Sequence, residues 1–307
     1  ACVSRRERTN TPAQDILLLN EAEYLKDACL PDGVFNVVNA AKTIVESLCD
    51  HPDINALAFV GSSSVAKIVY TRCSQNSKRS ICLGGAKNHM IVVPDADKDS
   101  TAKGLLASSM GSAGQRCMAA SVAVGVSDID HIIEQLIEEA KNFKLGVDMG
   151  TIISKDALNR INGYIDEAEI MGAKVLVDGR NMNPPDDYKH GYWLGATILD
   201  NVDPEWPSAK EEIFGPVLSI IRADTIEDAM KIENDNPYGN AAAVFTTSGQ
   251  IAKVVSEKAS AGMIGVNIGV PVPRDPYSFG GWNAVSYTHL RAHETSLHLV
   301  CRLLLEK

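Results

Sequence analysis

Short apolar runs alternate with amphipathic segments along most of this chain, and this alternation most limits the folds open to it. The runs are rich in Val, Ile and Ala, as in Ala56–Val60 and Val122–Val126. Such runs are typical of strands buried on both faces of a parallel sheet, and the segments between them are typical of crossover helices. The sequence therefore predicts an α/β fold built on parallel strands.

The individual elements follow from this pattern and from helix start and stop signals. Thr11-Pro12 opens the first helix, because Pro is favoured in a first turn, and Pro31-Asp32-Gly33 ends it. The predicted strands are Val34–Val38, Ala56–Val60, His89–Val93, Val122–Val126, Lys174–Val177, Val217–Ile221, Ala242–Thr246 and Gly262–Val266. The later predicted helices are Ala41–Cys49, Ser64–Ser74, Ala102–Met110, Ile129–Phe143, Ala157–Met171, Ile226–Glu233 and Ile251–Ala259.

Composition narrows the possible partners of the chain. A net charge of −10 over 307 residues argues against a general nucleic-acid surface. No apolar run approaches the ~18 residues of a spanning helix, and there is no basic-then-apolar signal peptide, so we expect no membrane partner. The 7 cysteines include no CxxC pair, which favours neither zinc nor a disulfide framework. We therefore expect no metal and a reducing compartment, such as the cytoplasm.

One cysteine lies in a segment suited to covalent catalysis. The run Gly111-Ser112-Ala113-Gly114-Gln115-Arg116-Cys117-Met118-Ala119 places an arginine directly before Cys117. Positive charge favours the thiolate, which is the nucleophilic form, and nearby glycines let backbone N–H groups approach a reacting oxygen. Arg116 could also grip the carboxylate of a substrate. The alternative is that Cys117 is a buried structural cysteine and Arg116 a structural cation.

Three motifs in order make the chain resemble the aldehyde dehydrogenase superfamily. They are Phe59–Lys67 (FVGSSSVAK), the cysteine segment, and Glu211–Leu218 (EEIFGPVL). Two further segments, Gly85–Asp97 and Asn236–Thr246, are similar to the methylmalonate-semialdehyde dehydrogenase branch, which passes its acyl group to CoA. Without the resemblance, the first motif indicates an ordinary strand–helix turn and the third an acidic helix end before a core phenylalanine.

The resemblance implies a fold, cofactors and site residues. It implies a partial Rossmann-like NAD-binding domain over residues 1–82 and an α/β thiol catalytic domain over residues 83–284. It implies NAD as cofactor, CoA as co-substrate, a small semialdehyde as substrate, and a homo-oligomer, either a dimer or a tetramer. The implied residues are Cys117 as nucleophile, Arg116 for the substrate carboxylate, and Glu7, Gly61, Ser62, Glu212 and Phe214 for NAD. Ser4 stands where the family has a lysine near the adenosine.

Leu83 bears on how the reaction ends. In hydrolysing members of the superfamily, a glutamate before the Gly-Gly-Lys turn activates water, and Leu83 occupies that position when the turn is aligned on Lys87. Leucine cannot take a proton, so the resemblance predicts release of a cysteine thioester to CoA as propionyl-CoA or acetyl-CoA. The alternatives are a hydrolysing enzyme that forms a free acid and an inactive NAD-binding fragment. We expect a mitochondrial location if the source is eukaryotic.

Both ends of the chain depart from the family. Members carry a long stretch before the position of Ala1, so we expect an N-terminal truncation that removes an oxyanion asparagine and a second arginine. At the other end, the family pattern stops after Asn283-Ala284. We expect residues 285–307 to be foreign, since they resemble a translated sequencing adapter.

Overall fold

The computed structural model describes residues 2–5, 12–40, 42–182, 186, 189–270 and 281. The first part contains β1 (Cys2–Arg5), α1 (Pro12–Asp27), β2 (Val37–Ala40), α2 (Lys42–Asp50), β3 (Ala56–Val60), α3 (Ser63–Gln75) and β4 (Arg79–Leu83). Its strands form two parallel pairs, β1 with β2 and β3 with β4. Both β1 and β4 lie where the sequence predicts no strand, and the predicted strand Val34–Val38 begins three residues later, at Val37.

The second part is built around one large sheet. Its elements are β5 (Asn88–Val92), α4 (Lys98–Met110), a 3₁₀ turn (Gly111–Gly114), β6 (Ala120–Val126), α5 (Asp130–Lys141), α6 (Lys155–Met171), β7 (Lys174–Val177), β8 (Thr197–Asp200), α7 (Pro207–Lys210), β9 (Val217–Ala223), α8 (Ile226–Asn234), β10 (Ala241–Phe245), α9 (Gly249–Lys258) and β11 (Met263–Val266). The seven strands run in the order β11-β10-β5-β6-β9-β8-β7, and only β7 is antiparallel to its neighbour.

Continuous apolar runs mark the strands because the middle of this sheet is covered on both faces. Every residue of β5, β8 and β10 is buried. Four helices in the described residues start at polar caps that the sequence supplies. The capping side chains that accept a backbone N–H are Asp97 for α4, Ser154 for α6, Thr225 for α8 and Ser248 for α9. These caps satisfy donors that the first helical turn cannot pair internally.

A separate small core lies between α2, α3 and the β3–β4 pair. Its buried residues include three thiols, Cys49, Cys73 and Cys82, which we call the buried thiols. Burial raises the pKa of all three, and that of Cys49 reaches about 11. Such thiols stay protonated near neutral pH and are poor nucleophiles.

No helix in the described part of the chain is both long and apolar enough to cross a membrane.

Candidate active site

The turn after β3 is shaped by a close contact with an aromatic ring. A Cβ on Gly61 would lie 2.6 Å from Cζ of Phe59, so only glycine leaves room for that buried ring. The Gly61 N–H donates to the Leu83 carbonyl at 3.0 Å, which joins the ends of β3 and β4. Ser62 is the N-cap of α3, yet its hydroxyl makes no capping bond. An N-terminus with free N–H groups is a favourable place for a phosphate.

The segment Gly85–Asn88, which we call the connecting segment, follows β4 and contacts the start of α3, the loop that carries Glu212, and the backbone of Cys117. The Gly85 N–H donates to the Ser63 hydroxyl oxygen, at the start of α3, over 3.0 Å. The Ala86 N–H donates to Oε1 of Glu212 over 3.1 Å. A Cβ on Gly85 would lie 2.5 Å from Oε2 of Glu212, so this carboxylate can approach only because the residue is glycine.

Lys87 holds the loop that presents Glu212. Its Nζ donates to the carbonyls of Ser208, at 2.9 Å, and Glu211, at 2.7 Å, and its side chain is 2 % exposed. Burial lowers the pKa of Lys87 to about 7, against the opposing attraction of Glu212 and Glu211. Burial also raises the pKa of Glu212, although the Ala86 N–H and Lys87 favour its ionised form. Oε2 of Glu212 has no hydrogen-bond partner among the described residues, so it is available to a ligand hydroxyl.

The loop at residues 213–216 presents Phe214 to solvent. Phe214 has a φ of 54° and is 39 % exposed, which is unusual for a large apolar side chain. Nη1 of Arg160 donates to the Ile213 carbonyl at 2.7 Å, and a Cβ on Gly215 would lie 2.7 Å from Ile161. Helix α6 therefore fixes the backbone on both sides of Phe214, and the exposed ring can pack against a flat ligand.

Cys117 lies in a tight turn between the 3₁₀ turn and β6. No helix begins there, so any charge-based activation has to come from a side chain. Its side chain is half-buried against Met118, Ala241 and Met263, which gives the thiol an apolar wall. Within the described residues, its backbone N–H has no hydrogen-bond partner. A free N–H on the nucleophile's own peptide can donate to an oxyanion formed at the sulfur.

The Arg116 side chain binds the end of α4. Its Nη2 donates to the carbonyls of Ala107, at 2.9 Å, and Ser108, at 3.2 Å. The guanidinium lies over Gly111, where a Cβ would be 2.5 Å from Nη2. A cation at the C-terminus of a helix interacts favourably with its dipole. An arginine binds a carboxylate in bidentate fashion through either Nε and Nη2 or Nη1 and Nη2. Since the carbonyls of α4 already use Nη2, only single hydrogen bonds from Nε or Nη1 remain for a substrate.

Comparison with known proteins identifies the family of this chain. The sequence matches the aldehyde dehydrogenase family over residues 8–302. The chain belongs to the aldehyde dehydrogenase family. This match includes most of the segment from residue 285 onward, whose foreign origin stays a prediction because the segment lies outside the described residues.

Similar proteins of known family extend well beyond the length of this chain. A malonate-semialdehyde dehydrogenase of Pseudomonas aeruginosa is 40% identical over 290 residues, which are 92% of this chain and 58% of the relative. The acylating methylmalonate-semialdehyde/malonate-semialdehyde dehydrogenase of Rattus norvegicus mitochondria is 42% identical over 266 residues, with shares of 85% and 50%. A solved structure from Sinorhizobium meliloti 1021, complexed with NAD, has a TM-score of 0.84 at 41% identity and shares of 87% and 56%. The chain thus spans little more than half the length of these relatives.

The structure links some of the residues that the sequence singles out. Glu212 bonds to the connecting segment, and Asn88 links that segment to Cys117. Gly61 and Ser62 lie just before Ser63, which bonds to the same segment. Glu7 lies outside the described residues, so its role stays a prediction, as do the roles of the others and the domain bounds at residues 82 and 284.

Three buried polar side chains near the site have environments that the sequence alone does not reveal: those of His89, Asn88 and Asn240. His89 is 4 % exposed and burial lowers its pKa to about 3, which agrees with a core histidine, but its Nδ1 has no partner among the described residues. Asn88 and Asn240 contact the Cys117 backbone through bonds that sequence reasoning missed. No local periodicity could have found them, because the bonds span 29 and 123 residues of chain.

Proposed function

We propose that the protein containing this chain oxidises methylmalonate or malonate semialdehyde with NAD and transfers the acyl group from Cys117 to CoA. The observation that carries the proposal is the connecting segment, which binds the Glu212 carboxylate through Ala86 and the Cys117 backbone through Asn88. A cofactor residue and a nucleophile thus share one rigid support. The product is propionyl-CoA or acetyl-CoA after loss of the substrate carboxylate as CO₂.

The residues present fit NAD. The uncapped start of α3 suits a pyrophosphate, Oε2 of Glu212 suits a ribose hydroxyl, and the exposed Phe214 ring suits the face of a nicotinamide. The glycine at position 85 leaves the space that the carboxylate occupies. NAD, when bound, supplies the acceptor for the hydride that leaves the substrate carbon. The chain's own contribution is to place these three groups around one segment.

Cys117 supplies the covalent step. Its thiolate attacks the aldehyde carbon and forms a C–S bond, while the carbonyl π electrons move to the oxygen. The free Cys117 N–H donates to that oxyanion. Loss of hydride from the same carbon restores the C=O bond and leaves a thioester on the sulfur. The acyl carboxylate then leaves as CO₂, the electrons of the broken C–C bond pass into the thioester as an enolate, and the α-carbon takes a proton from water. The CoA thiolate then attacks the thioester carbon, and Cys117 leaves as a thiolate, which returns the site to its starting state.

Leu83 supports transfer to CoA over hydrolysis. It ends β4, and its carbonyl accepts from the Gly61 N–H, so it lies at the edge of the proposed cofactor site. A general base contributes about 10²–10⁴-fold to water attack, and leucine cannot contribute it. A CoA thiol is partly ionised near neutral pH and is intrinsically nucleophilic, so it needs less assistance.

Arg116 is the proposed cation for the substrate carboxylate. The guanidinium has Nε and Nη1 without a partner among the described residues, and the carbonyls of α4 hold its other nitrogen. We propose that a single charge-assisted hydrogen bond from this group selects acidic aldehydes. Such a bond contributes about 1.5–3 kcal/mol when it is shielded from water.

The test is NADH formation by the protein expressed from its complete reading frame, with and without CoA, in the wild type and in Cys117→Ser. We expect steady turnover only with CoA, an acyl-CoA product identified by mass, and no turnover in the variant. Rapid turnover to a free acid without CoA would replace transfer by hydrolysis. Activity that survives in Cys117→Ser would remove Cys117 from the mechanism, and absence of any NADH in the wild type would favour an inactive NAD-binding protein.

A further inference from the structure

The carbonyl of Cys117 accepts hydrogen bonds from two buried amide side chains. Nδ2 of Asn88 donates to it at 3.0 Å, and Nδ2 of Asn240 donates to it at 3.4 Å. Asn88 and Asn240 are 0 % and 1 % exposed. We call these two side chains the amide pair. A buried amide makes such bonds at the cost of its own desolvation, so their convergence on one carbonyl strongly restrains that peptide.

The two amides also bond to each other and to their surroundings. Nδ2 of Asn240 donates to Oδ1 of Asn88 at 3.3 Å, and the Ala241 N–H donates to the same oxygen at 3.2 Å. Nδ2 of Asn88 donates in addition to the Ala119 carbonyl at 2.9 Å. Asn88 therefore uses both ends of its amide, and Asn240 reinforces its orientation. The pair acts as one unit, because each member fixes the donor direction of the other.

Strand topology explains why these amides reach Cys117. Asn88 begins β5, Asn240 directly precedes β10, and residues 117–119 lead into β6, and these three strands are adjacent and parallel. The pairing of β5 with β6 shifts at this point, since Asn88 pairs with Ala120 but His89 pairs with Val122. Ser121 is thus an extra residue. Such a bulge re-aims the backbone, and bulges are frequent beside active sites.

We propose that Asn88 and Asn240 are positioning residues that fix the Cys117–Met118 peptide and thereby aim the Cys117 thiol at the substrate carbon. This inference rests on the proposed function. Holding that peptide plane fixes ψ of Cys117 and so limits the positions that its sulfur can occupy. A misplacement of about 1 Å at a reacting atom costs on the order of 100-fold in rate. The amides touch only the backbone, so they act through Cys117 and not on the substrate.

The experiment uses Asn88→Ala, Asn240→Ala and the double variant in the protein expressed from its complete reading frame. We measure the single-turnover burst of NADH, KM for NAD, and the pH midpoint of iodoacetamide alkylation of Cys117. We expect the burst rate to fall about 10- to 100-fold in each single variant. KM for NAD should stay within about twofold of the wild type, and the pH midpoint of alkylation within about 0.3 pH unit, since neither the cofactor residues nor the charges near the thiol change. The double variant should lose less than the product of the single losses, because both bonds share one carbonyl.

Asn236→Ala is the matched control. Asn236 is another buried asparagine whose Nδ2 donates to a carbonyl of the connecting segment, that of Lys87, and not to the Cys117 carbonyl. It controls for the loss of any buried amide, and we expect its burst rate to exceed that of either test variant by about tenfold. If Asn88→Ala fails to fold, the result for Asn240→Ala tests the positioning role alone. We expect that variant to fold, because it keeps both Asn88 bonds to residues 117 and 119.

The outcomes separate this inference from the proposed function. Burst rates in a folded Asn240→Ala variant that match the control overturn the positioning role, provided that Cys117→Ser abolishes the burst. An equal fall in the control also overturns it, because the effect would then follow from any lost amide. A burst that survives in Cys117→Ser overturns the proposed function itself.

Discussion

Gly114 lies in the loop before Cys117 and contacts the loop at residues 213–216, which carries Phe214. Alanine at position 114 should push these two loops apart. Gly114 is the third consecutive residue in the left-handed region, with φ of 67° after 56° at Ser112 and 53° at Ala113. A Cβ on Gly114 would overlap with the Gly215 carbonyl oxygen and would lie 3.0 Å from the Pro216 nitrogen. Backbone atoms cannot rotate away, as a flexible side chain could.

The cost of Gly114→Ala has two parts. An L-residue in the left-handed conformation costs about 1–2 kcal/mol. Overpacking of a buried contact costs about 1–3 kcal/mol, because the two backbones must move apart. Together we expect a loss of about 2–5 kcal/mol in the free energy of unfolding. The NADH burst should fall as well, because the displacement moves Phe214 relative to Cys117.

Urea unfolding of Gly114→Ala measures the first effect, and Gly163→Ala is its control. Gly163 lies within α6, has an ordinary φ, and a Cβ there would meet nothing within 4 Å. Alanine in a helix interior is favoured over glycine by about 0.5–1 kcal/mol, so the control should be slightly more stable than the wild type. If Gly114→Ala unfolds at the wild-type urea concentration while the control behaves as expected, the close contact between the two loops is wrong.

Three further predictions follow from burial and charge. Iodoacetamide at pH 8, followed by peptide mapping, should label Cys117 at least about tenfold faster than any of the buried thiols, whose pKa values are raised by burial, and equal rates would contradict this. Glu233 is 1 % exposed and burial raises its pKa from 4.5 to about 7, so stability should fall as the pH rises through that window. Glu233→Gln should therefore stabilise the protein at pH 8 by up to about 3 kcal/mol and much less at pH 4, and urea unfolding that shows no pH difference would refute it. Arg116→Leu should lower kcat/KM for semialdehydes about tenfold or more relative to neutral aldehydes of matched size. Equal losses with both kinds of aldehyde would mean that Arg116 activates the thiol or stabilises the end of α4, and does not bind the substrate carboxylate.

The sequence predicts most of the large sheet because most of its strands are short continuous apolar runs. Lys174–Val177 is found at the predicted bounds, and the other strands of that sheet that were predicted lie within two residues of expectation. In the smaller β3–β4 pair, Ala56–Val60 is also found at its predicted bounds. The missed strands have weaker signals. β4 begins with Arg79 and Ser80, so its apolar residues are too few to stand out. β8, from Thr197 to Asp200, has a polar residue at each end.

Some residues of the site can be identified from local sequence motifs, and others only from contacts between distant parts of the chain. Cys117 and Glu212 occur in short motifs, so the sequence alone can single them out. The residues that join them cannot be found in this manner, because each bond links positions far apart in the chain. The Ala86 N–H reaches Glu212 across 126 residues, and Lys87 reaches Ser208 across 121. The bonds from Asn88 and Asn240 to the Cys117 carbonyl likewise depend on the sheet order, which places the starts of β5, β6 and β10 side by side.

The connecting segment shows why so short a stretch can organise the site. The side chains of successive residues in an extended chain point in opposite directions, so four residues can contact several neighbouring elements at once. Here the backbone N–H groups of Gly85 and Ala86 face α3 and Glu212, the Lys87 side chain enters the loop before Phe214, and the Asn88 side chain turns to Cys117. The same residues would be ordinary strand-end residues in a sheet with another strand order. The chemistry that we propose therefore depends on topology as much as on the cysteine motif, and a change in Asn88 or Lys87 should affect catalysis although neither side chain touches the substrate.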